Sequence, residues 1–497
     1  MFEGNLNMTK WKLCLAFAVV ILFESTSFAE VKLPAIVSSN MVLQRDTTIT
    51  LWGWADAGED ISISASWLDK RIRISADTLG KWQVEAQTTG SLVPQTIRIK
   101  SKTSDILLEN ILFGEVWLTS GQSNMEQSVQ GYIGQPTFGS QEAIVHAAND
   151  NLRLFTVAKE ADTEPREDIG AHTGWQSATP VSVKTFSAVS YFYGQQLQQI
   201  LGVPVGMIHS SWGGSLVEAW MSTESLSPIK EIDLTGVDLK QGNRFPTVLF
   251  NAMINPLTSY TIKGALWYQG EANASRPEEY KKLFPAMVKD WRTRWEIGDF
   301  PFFYVQITPF QYDWGDSDRA EVDHLVARMR ETQVQCLDLI PNSGMAVLMD
   351  VGDETVIHPP IKKEVANRLL YNALNQTYGY EAVDFSGPVY DQMQIVDDSI
   401  YVTFRHAEQG LYSNGDSDNW EIAGADKIFY PALATNDRRG IFVRSEKVKE
   451  PVAVRYAWRS WAVGSLYGTN MLPASSFRTD NWDDATRFEE PGSRKEN

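Results

Sequence analysis

Ser123 is the first residue in this chain whose setting could support covalent chemistry. It stands in the stretch Gly114 to Glu126, GEVWLTSGQSNME. A serine oxygen attacks a carbonyl usefully only when a base takes its proton and fixed donors hold the oxyanion that forms. The residues before it, Ile111-Leu112-Phe113 and Val116-Trp117-Leu118-Thr119, read as a short strand buried on both faces. A small polar turn at the carboxyl end of such a strand is where an open α/β sheet places its ligand. Residue 125 is Met, so the second glycine of a GxSxG elbow is missing and an ordinary α/β-hydrolase is disfavoured. Taken alone, a serine in a turn more often just bonds the backbone.

Other strand ends supply the remaining parts. After Val203 to His209 comes Ser210-Ser211-Trp212-Gly213-Gly214-Ser215, where a glycine pair can bring backbone N–H groups to an oxyanion or simply make a turn. After Ile262 to Tyr268 comes Gln269-Gly270-Glu271-Ala272-Asn273, whose amides can donate to an oxyanion or cap the next helix. The base must titrate near neutrality, and the chain has 6 histidines. His358, in Val356-Ile357-His358-Pro359-Pro360, follows the last candidate strand and shares a sheet edge with Ser123. His209, at another strand end, is the second choice. His146, His172, His324 and His406 occupy apparent surface or helix positions. A metal site is not expected, because HExxH, paired cysteines and close histidine pairs are all missing. No phosphate-loop or dinucleotide fingerprint occurs either, so no cofactor is expected.

These residues need a frame. From 111 to 383 the pattern is strand, loop, helix. The candidate strands are 111–119, 203–209, 262–268, 302–307 and 345–349, with helices over 188–201, from Pro277, over 320–337 and over 362–375. Alternation of this kind implies a mostly parallel sheet with helices on both faces. Residues 30–110 show short alternating strands, such as Thr48 to Trp52 and Thr96 to Ile99, and read as a small sandwich or jelly roll. Residues 384–482 return to that pattern, and 483–497 read as a charged, frayed tail.

With 497 residues the chain has room for about two or three domains. Its formal net charge of −18 argues against nucleic acid and anionic membranes as partners. Lys10 and Lys12 precede the apolar run Leu13 to Phe23, and Ser27-Phe28-Ala29 has the small-x-small form of a cleavage site. Residues 1–29 therefore read as a secretory signal peptide, and Met8 is a plausible alternative start. The run is about 11 residues, too short to span a bilayer. An exported protein, periplasmic or extracellular, without a membrane span is expected. Of its 2 cysteines only Cys336 lies beyond the signal segment, so an intrachain disulfide is not expected.

GQSNM, SSWGG with EAWMS, LWYQGEANA and IHPP, in this order, resemble the SGNH-type esterases. More closely they resemble the sialate O-acetylesterase family of secreted carbohydrate acetylesterases. Phe186-Ser187-Ala188-Val189 and Pro473 to Asp480 are also similar to that family. The resemblance implies an α/β, SGNH-hydrolase-like (flavodoxin-like) sheet flanked by N- and C-terminal β domains. It implies Ser123 as nucleophile and His358 as general base. The backbone N–H groups of Ser123 and Gly214 would form the oxyanion hole, completed by a side-chain amide, Gln269 first and Asn273 second. The substrate would be an acetylated carbohydrate, a sialic acid or a related glycan. One position departs from the family, which carries an aspartate two or three residues before the histidine. Here those residues are Val356 and Thr355, and the nearest acids are Glu354 and Asp353. Either acid, or a backbone carbonyl, would have to orient the ring. Two other readings stand beside this one: a polysaccharide acetylesterase of the acetylxylan type, and a non-catalytic glycan-binding protein on an esterase scaffold.

Overall fold

One 17-residue strand, β1 (Asp105–Gly121), runs through two parts of the molecule. Its first half pairs antiparallel with Gln95–Lys100 and belongs to the N-terminal β region. Its second half is buried without interruption and lies at the centre of a parallel sheet. The computed structural model describes residues 30–239, 242–413 and 419–487. The expected signal segment, residues 1–29, and the tail beyond Arg487 lie outside the described residues.

The other strands of the central sheet are β2 (Asn149–Thr156), β3 (Gln176–Ala178), β4 (Val205–Ser211), β5 (Gly264–Tyr268), β6 (Phe302–Val305) and β7 (Ser343–Ala346). They lie in the order β7-β6-β5-β1-β4-β2-β3, parallel except for the edge strand β3. The helices that matter for the site are α1 (Ser123–Glu126), α2 (Ala188–Leu201), α3 (Pro277–Trp295), α4 (Arg319–Leu339) and α5 (Lys362–Gln376). Strand side chains alternate between two cores, as a pleated strand requires. Phe302 and Tyr304 pack on the side of Tyr280 and Phe284 from α3, while Phe303 and Val305 pack with Val189 and Leu197 of α2 and Leu369 of α5. The fold is thus α/β with helices on both faces.

Ile49, Leu51, Ile61, Ile63, Trp82, Ile97 and Ile99 of the N-terminal β region join the first of these cores without a break. The C-terminal β strands are held against the sheet by buried polar contacts. Arg330 of α4 is fully buried and bonds Ser476 and the carbonyls of Ala457 and Arg459, while Gln306 donates to Ser475 at 2.7 Å. The family-like phrase around Ser475-Ser476 therefore works as a joint. The expected frayed tail does not begin at 483: Thr486–Arg487 pairs in parallel with Ile428–Phe429, and Lys427 grips Asp484 at 2.8 Å.

Candidate active site

β1 ends between two parallel neighbours, with Gly121 in register with Ser211 of β4 and Tyr268 of β5. Here the chain must turn under tight constraint. Gly121 has φ +134, and a Cβ on it would lie 2.2 Å from the carbonyl oxygen of Tyr268. Only glycine fits that conformation and that approach. The Gln122 N–H donates to Tyr268 O at 2.9 Å, and the Trp212 N–H donates to Gly121 O at 3.1 Å. These bonds lace three strand ends together and leave Ser123 half-buried as the first residue of α1.

The glycine loop after β4 is held close to this serine. A Cβ on Gly213 would lie 3.2 Å from Ser123 Cβ. The Gly213 N–H donates to Glu126 Oε2 at 2.6 Å, and its carbonyl accepts from Asn243 Nδ2 at 2.7 Å. Lys159 holds the other Glu126 oxygen at 2.6 Å. With Gly213 tied in this way, the N–H groups of Ser123 and Gly214 donate to no protein acceptor among the described residues. An oxyanion hole needs such unengaged N–H groups close to the attacking oxygen.

His358 is brought to the same place from the far edge of the sheet. Asn124 Nδ2 donates to the carbonyl of Ile357 at 3.1 Å, pinning the residue before His358 to the residue after Ser123. Tyr132 spans the pair: its hydroxyl donates to Ser123 O at 3.1 Å and its ring meets the His358 ring edge-on, centroids 5.3 Å apart. The His358 Nδ1 faces Gln135 Oε1 at 2.5 Å. Burial, and then the charge of Lys362, bring the imidazole down to about 4, so it is neutral at pH 7. His209 has a different setting. It is buried, its ring nitrogens meet Thr119 Oγ1 at 3.3 Å and Ser211 Oγ at 2.9 Å, and it packs against Phe186.

Beneath the serine lies a buried polar network. Asn124 Nδ2 also donates to Glu271 Oε1 at 2.6 Å, and Asn124 Oδ1 accepts from Lys362 Nζ at 2.5 Å. Burial raises the Glu271 carboxyl and lowers the Lys362 amine to about 7, while each one's charge favours the charged form of the other. Ser187 adds a further tie, capping α2 at Ser190 N–H and donating to the carbonyl of Met125 at 2.6 Å.

This strand-end arrangement has known counterparts. Residues 114–352 match the family described as carbohydrate esterase, sialic acid-specific acetylesterase. The crystal structure of XAC1771, a novel carbohydrate acetylesterase from Xanthomonas citri, is 34% identical and superposes with a TM-score of 0.82 over 91% of this chain and 100% of that one. The chain belongs to this carbohydrate esterase family. Sialate O-acetylesterase of Homo sapiens is 28% identical over 473 residues, 86% of this chain and 87% of its own length. Sialate O-acetylesterase of Mus musculus is 26% identical over 516 residues, 89% and 93% of the two chains. The protein is therefore a carboxylic ester hydrolase whose fold is of the SGNH type, and an acetylated carbohydrate fits it as substrate.

The other residues expected at this site have partners away from Ser123 and His358. Neither candidate acid hydrogen-bonds His358. Asp353 Oδ1 turns back on its own loop, accepting from the Thr355 N–H and hydroxyl and from the Val356 N–H at 2.9 to 3.0 Å. Glu354 is exposed, and the nearby Asp350 is held by a bidentate pair with Arg368. The side-chain amides of Gln269 and Asn273 are likewise committed elsewhere. Both residues are fully buried. Gln269 Nε2 donates to Ser215 O at 3.0 Å and to Asn273 Oδ1 at 2.7 Å, and Asn273 Nδ2 donates to Glu218 Oε2 at 3.0 Å. Those amides brace the loop that carries Gly214.

Tyr132, Gln135 and Lys362 carried no signal that singled them out in the sequence. Asn124 did lie inside a recognisable motif, but its three polar contacts depend on partners far along the chain. Among the described residues no three His, Cys, Asp or Glu side chains are grouped to hold a metal ion, and no helix is long and apolar enough to cross a membrane.

Proposed function

We propose that this esterase removes O-acetyl groups from sialic acids or related glycans through an acetyl-Ser123 intermediate. Ser123 Oγ attacks the acetyl carbonyl while His358 Nε2 accepts its proton. The N–H groups of Ser123 and Gly214 hold the tetrahedral oxyanion. Collapse breaks the bond to the sugar oxygen, which takes the proton from His358 and leaves as the free hydroxyl. A water then attacks the acetyl-serine by the same route in reverse and frees acetate.

The observation that carries this reading is the double tie between the two loops. Asn124 bonds the carbonyl before His358, and Tyr132 contacts both Ser123 and the histidine ring. The decisive experiment is hydrolysis of an activated acetyl ester by wild type, Ser123→Ala and His358→Ala. Activity is expected in the first and a loss of about 10³-fold or more in each variant. Equal rates in all would remove the mechanism.

The relatives named sialate O-acetylesterase favour a sialic acid as the sugar. The more similar solved relative is a carbohydrate acetylesterase, a description that names no sugar and leaves an acetylated polysaccharide such as xylan as the second reading. Acetate release from O-acetylated sialic acid against acetylated xylan separates them. Export by cleavage after Ala29 belongs to the same proposal, and N-terminal sequencing of the secreted protein is expected to begin at Glu30.

A further inference from the structure

We propose that Gln135 is the positioning residue of this site, its side-chain carbonyl standing where a triad normally holds a carboxylate. This role rests on the Ser123–His358 reading above. A triad acid accepts a hydrogen bond from Nδ1, which keeps the proton off Nε2 and aims that nitrogen at the serine. Gln135 Oε1 lies 2.5 Å from His358 Nδ1. An amide oxygen can only accept, so Nδ1 carries the proton and Nε2 keeps its lone pair for Ser123.

The turn that presents this amide is built for the purpose. Tyr132 and Gln135 exchange backbone hydrogen bonds, Tyr132 N–H to Gln135 O at 2.9 Å and Gln135 N–H to Tyr132 O at 3.1 Å. Buried Gln127, directly after α1, donates its side chain to the Gln135 carbonyl at 3.1 Å. One tight turn, fastened to the helix that begins with Ser123, therefore places both Tyr132 and Gln135 against the histidine.

The substitution of amide for acid has a chemical consequence. A carboxylate would favour the imidazolium that forms as Ser123 loses its proton, and a neutral amide orients the ring without that charge. The charged groups around the ring act from further away. Lys362 lies behind it on α5 with Glu271 beyond, Glu126 lies beyond Tyr132, and Asp353 and Glu354 lie on the histidine's own loop. Burial and the Lys362 charge keep the ring neutral far into the acid range, and no carboxylate on Nδ1 opposes them.

The test uses the full-length protein, an activated acetyl ester and three variants. Gln135→Leu removes the acceptor at nearly constant volume, and kcat is expected to fall roughly 10- to 100-fold with KM within about 2-fold. Gln135→Glu supplies the missing charge. It is expected to keep activity and to raise the acid limb of the kcat/KM profile by about one pH unit or more. In a proton NMR spectrum, the downfield His358 Nδ1–H resonance is expected in wild type and Gln135→Glu and lost in Gln135→Leu. Wild-type kcat and pH profile in Gln135→Leu, or an unmoved acid limb in Gln135→Glu, would overturn the proposal. If Gln135→Leu fails to fold, the near-isosteric Gln135→Glu limb alone decides. Retained activity in Ser123→Ala would instead sink the Ser123–His358 reading, and the two failures are distinct.

Discussion

Asn124 donates its side-chain amide to the carbonyl of Ile357 at 3.1 Å, so the residue after Ser123 holds the residue before His358. The contact spans 233 positions of sequence and joins the central strand's turn to a loop beyond the sheet edge. The same amide donates to Glu271 and accepts from Lys362, which begins α5. One buried side chain thus links the ends of β1 and β5 and the loop after β7. The loops that carry Ser123 and His358 are tied to each other by buried polar contacts.

Asn124→Ala should therefore cost both stability and rate. Removing the amide strands the Lys362 ammonium, one Glu271 oxygen and the Ile357 carbonyl, all with little access to water. Each unsatisfied buried group costs about 1–3 kcal/mol, so three of them predict a loss of about 3 kcal/mol or more in urea denaturation. The Ile357 loop would also be released, and kcat should fall on the order of 100-fold. A variant with wild-type kcat would show that the tie does not position the histidine.

The pH profile should carry the mark of a suppressed histidine. His358 sits at about 4 instead of the ordinary 6.5, because burial and the Lys362 charge both disfavour its cation. The base works only when neutral, so kcat/KM should rise as pH increases through about 4 and stay flat through neutrality. Lys362 loses its own charge near 7, but His358 is already neutral there, so no second limb is expected from it. Stability follows the same sign. The folded protein binds fewer protons than the unfolded chain between these values, so this group's contribution is complete above 6.5 and declines as pH falls toward 4. An acid limb near 6.5 would contradict the suppressed base.

Much of the frame was legible in the chain because its signals are local. The strands ending at Ser211, Tyr268, Val305 and Ala346 are short apolar runs, and α2 announces itself through the Ser187 cap and its periodic apolar side. β2 was not legible: Asn149-Asp150-Asn151 begins it with polar, largely exposed residues, and only its second half is buried. At the candidate site, Ser123 and His358 could be proposed from strand-end position and motif. Their supports could not. Gln135 lies 223 positions from His358 in a loop without periodicity, and nothing local marks it. Asp353 and Glu354 were attractive because they were near in sequence, yet Asp353 satisfies its own turn. Gln269 and Asn273 stand in a family motif, and their amides hydrogen-bond each other and Glu218.

Glu126 offers a test of the oxyanion loop. Its carboxylate takes the Gly213 N–H at 2.6 Å and is itself held by Lys159, so it fixes the peptide before Gly214. Glu126→Ala releases that peptide without touching Ser123, His358 or the Gly214 N–H. The expected result is a drop in kcat on the order of 10- to 100-fold with little change in KM, since misplaced donors cost most when the oxyanion forms. Glu126→Gln keeps one acceptor and should recover a large part of the rate. Wild-type turnover in Glu126→Ala would mean that the Gly213–Gly214 loop holds its shape unaided.

Asn273→Ala separates a structural amide from an oxyanion donor. The side chain accepts from Val217 N–H and Gln269 Nε2 and donates to Glu218, while Glu218 keeps its ion pair with Arg276 at 2.7 Å. Losing it leaves two buried donors unpaired at a cost of about 1–3 kcal/mol each, which a denaturation midpoint reads directly. Had it been a donor to the oxyanion, kcat would fall by about 10²- to 10³-fold. Because its donors and acceptor are all engaged away from Ser123, the expected outcome is a clear fall in stability with kcat kept within about 10-fold. A loss of kcat in the oxyanion range at unchanged stability would return Asn273 to the catalytic machinery.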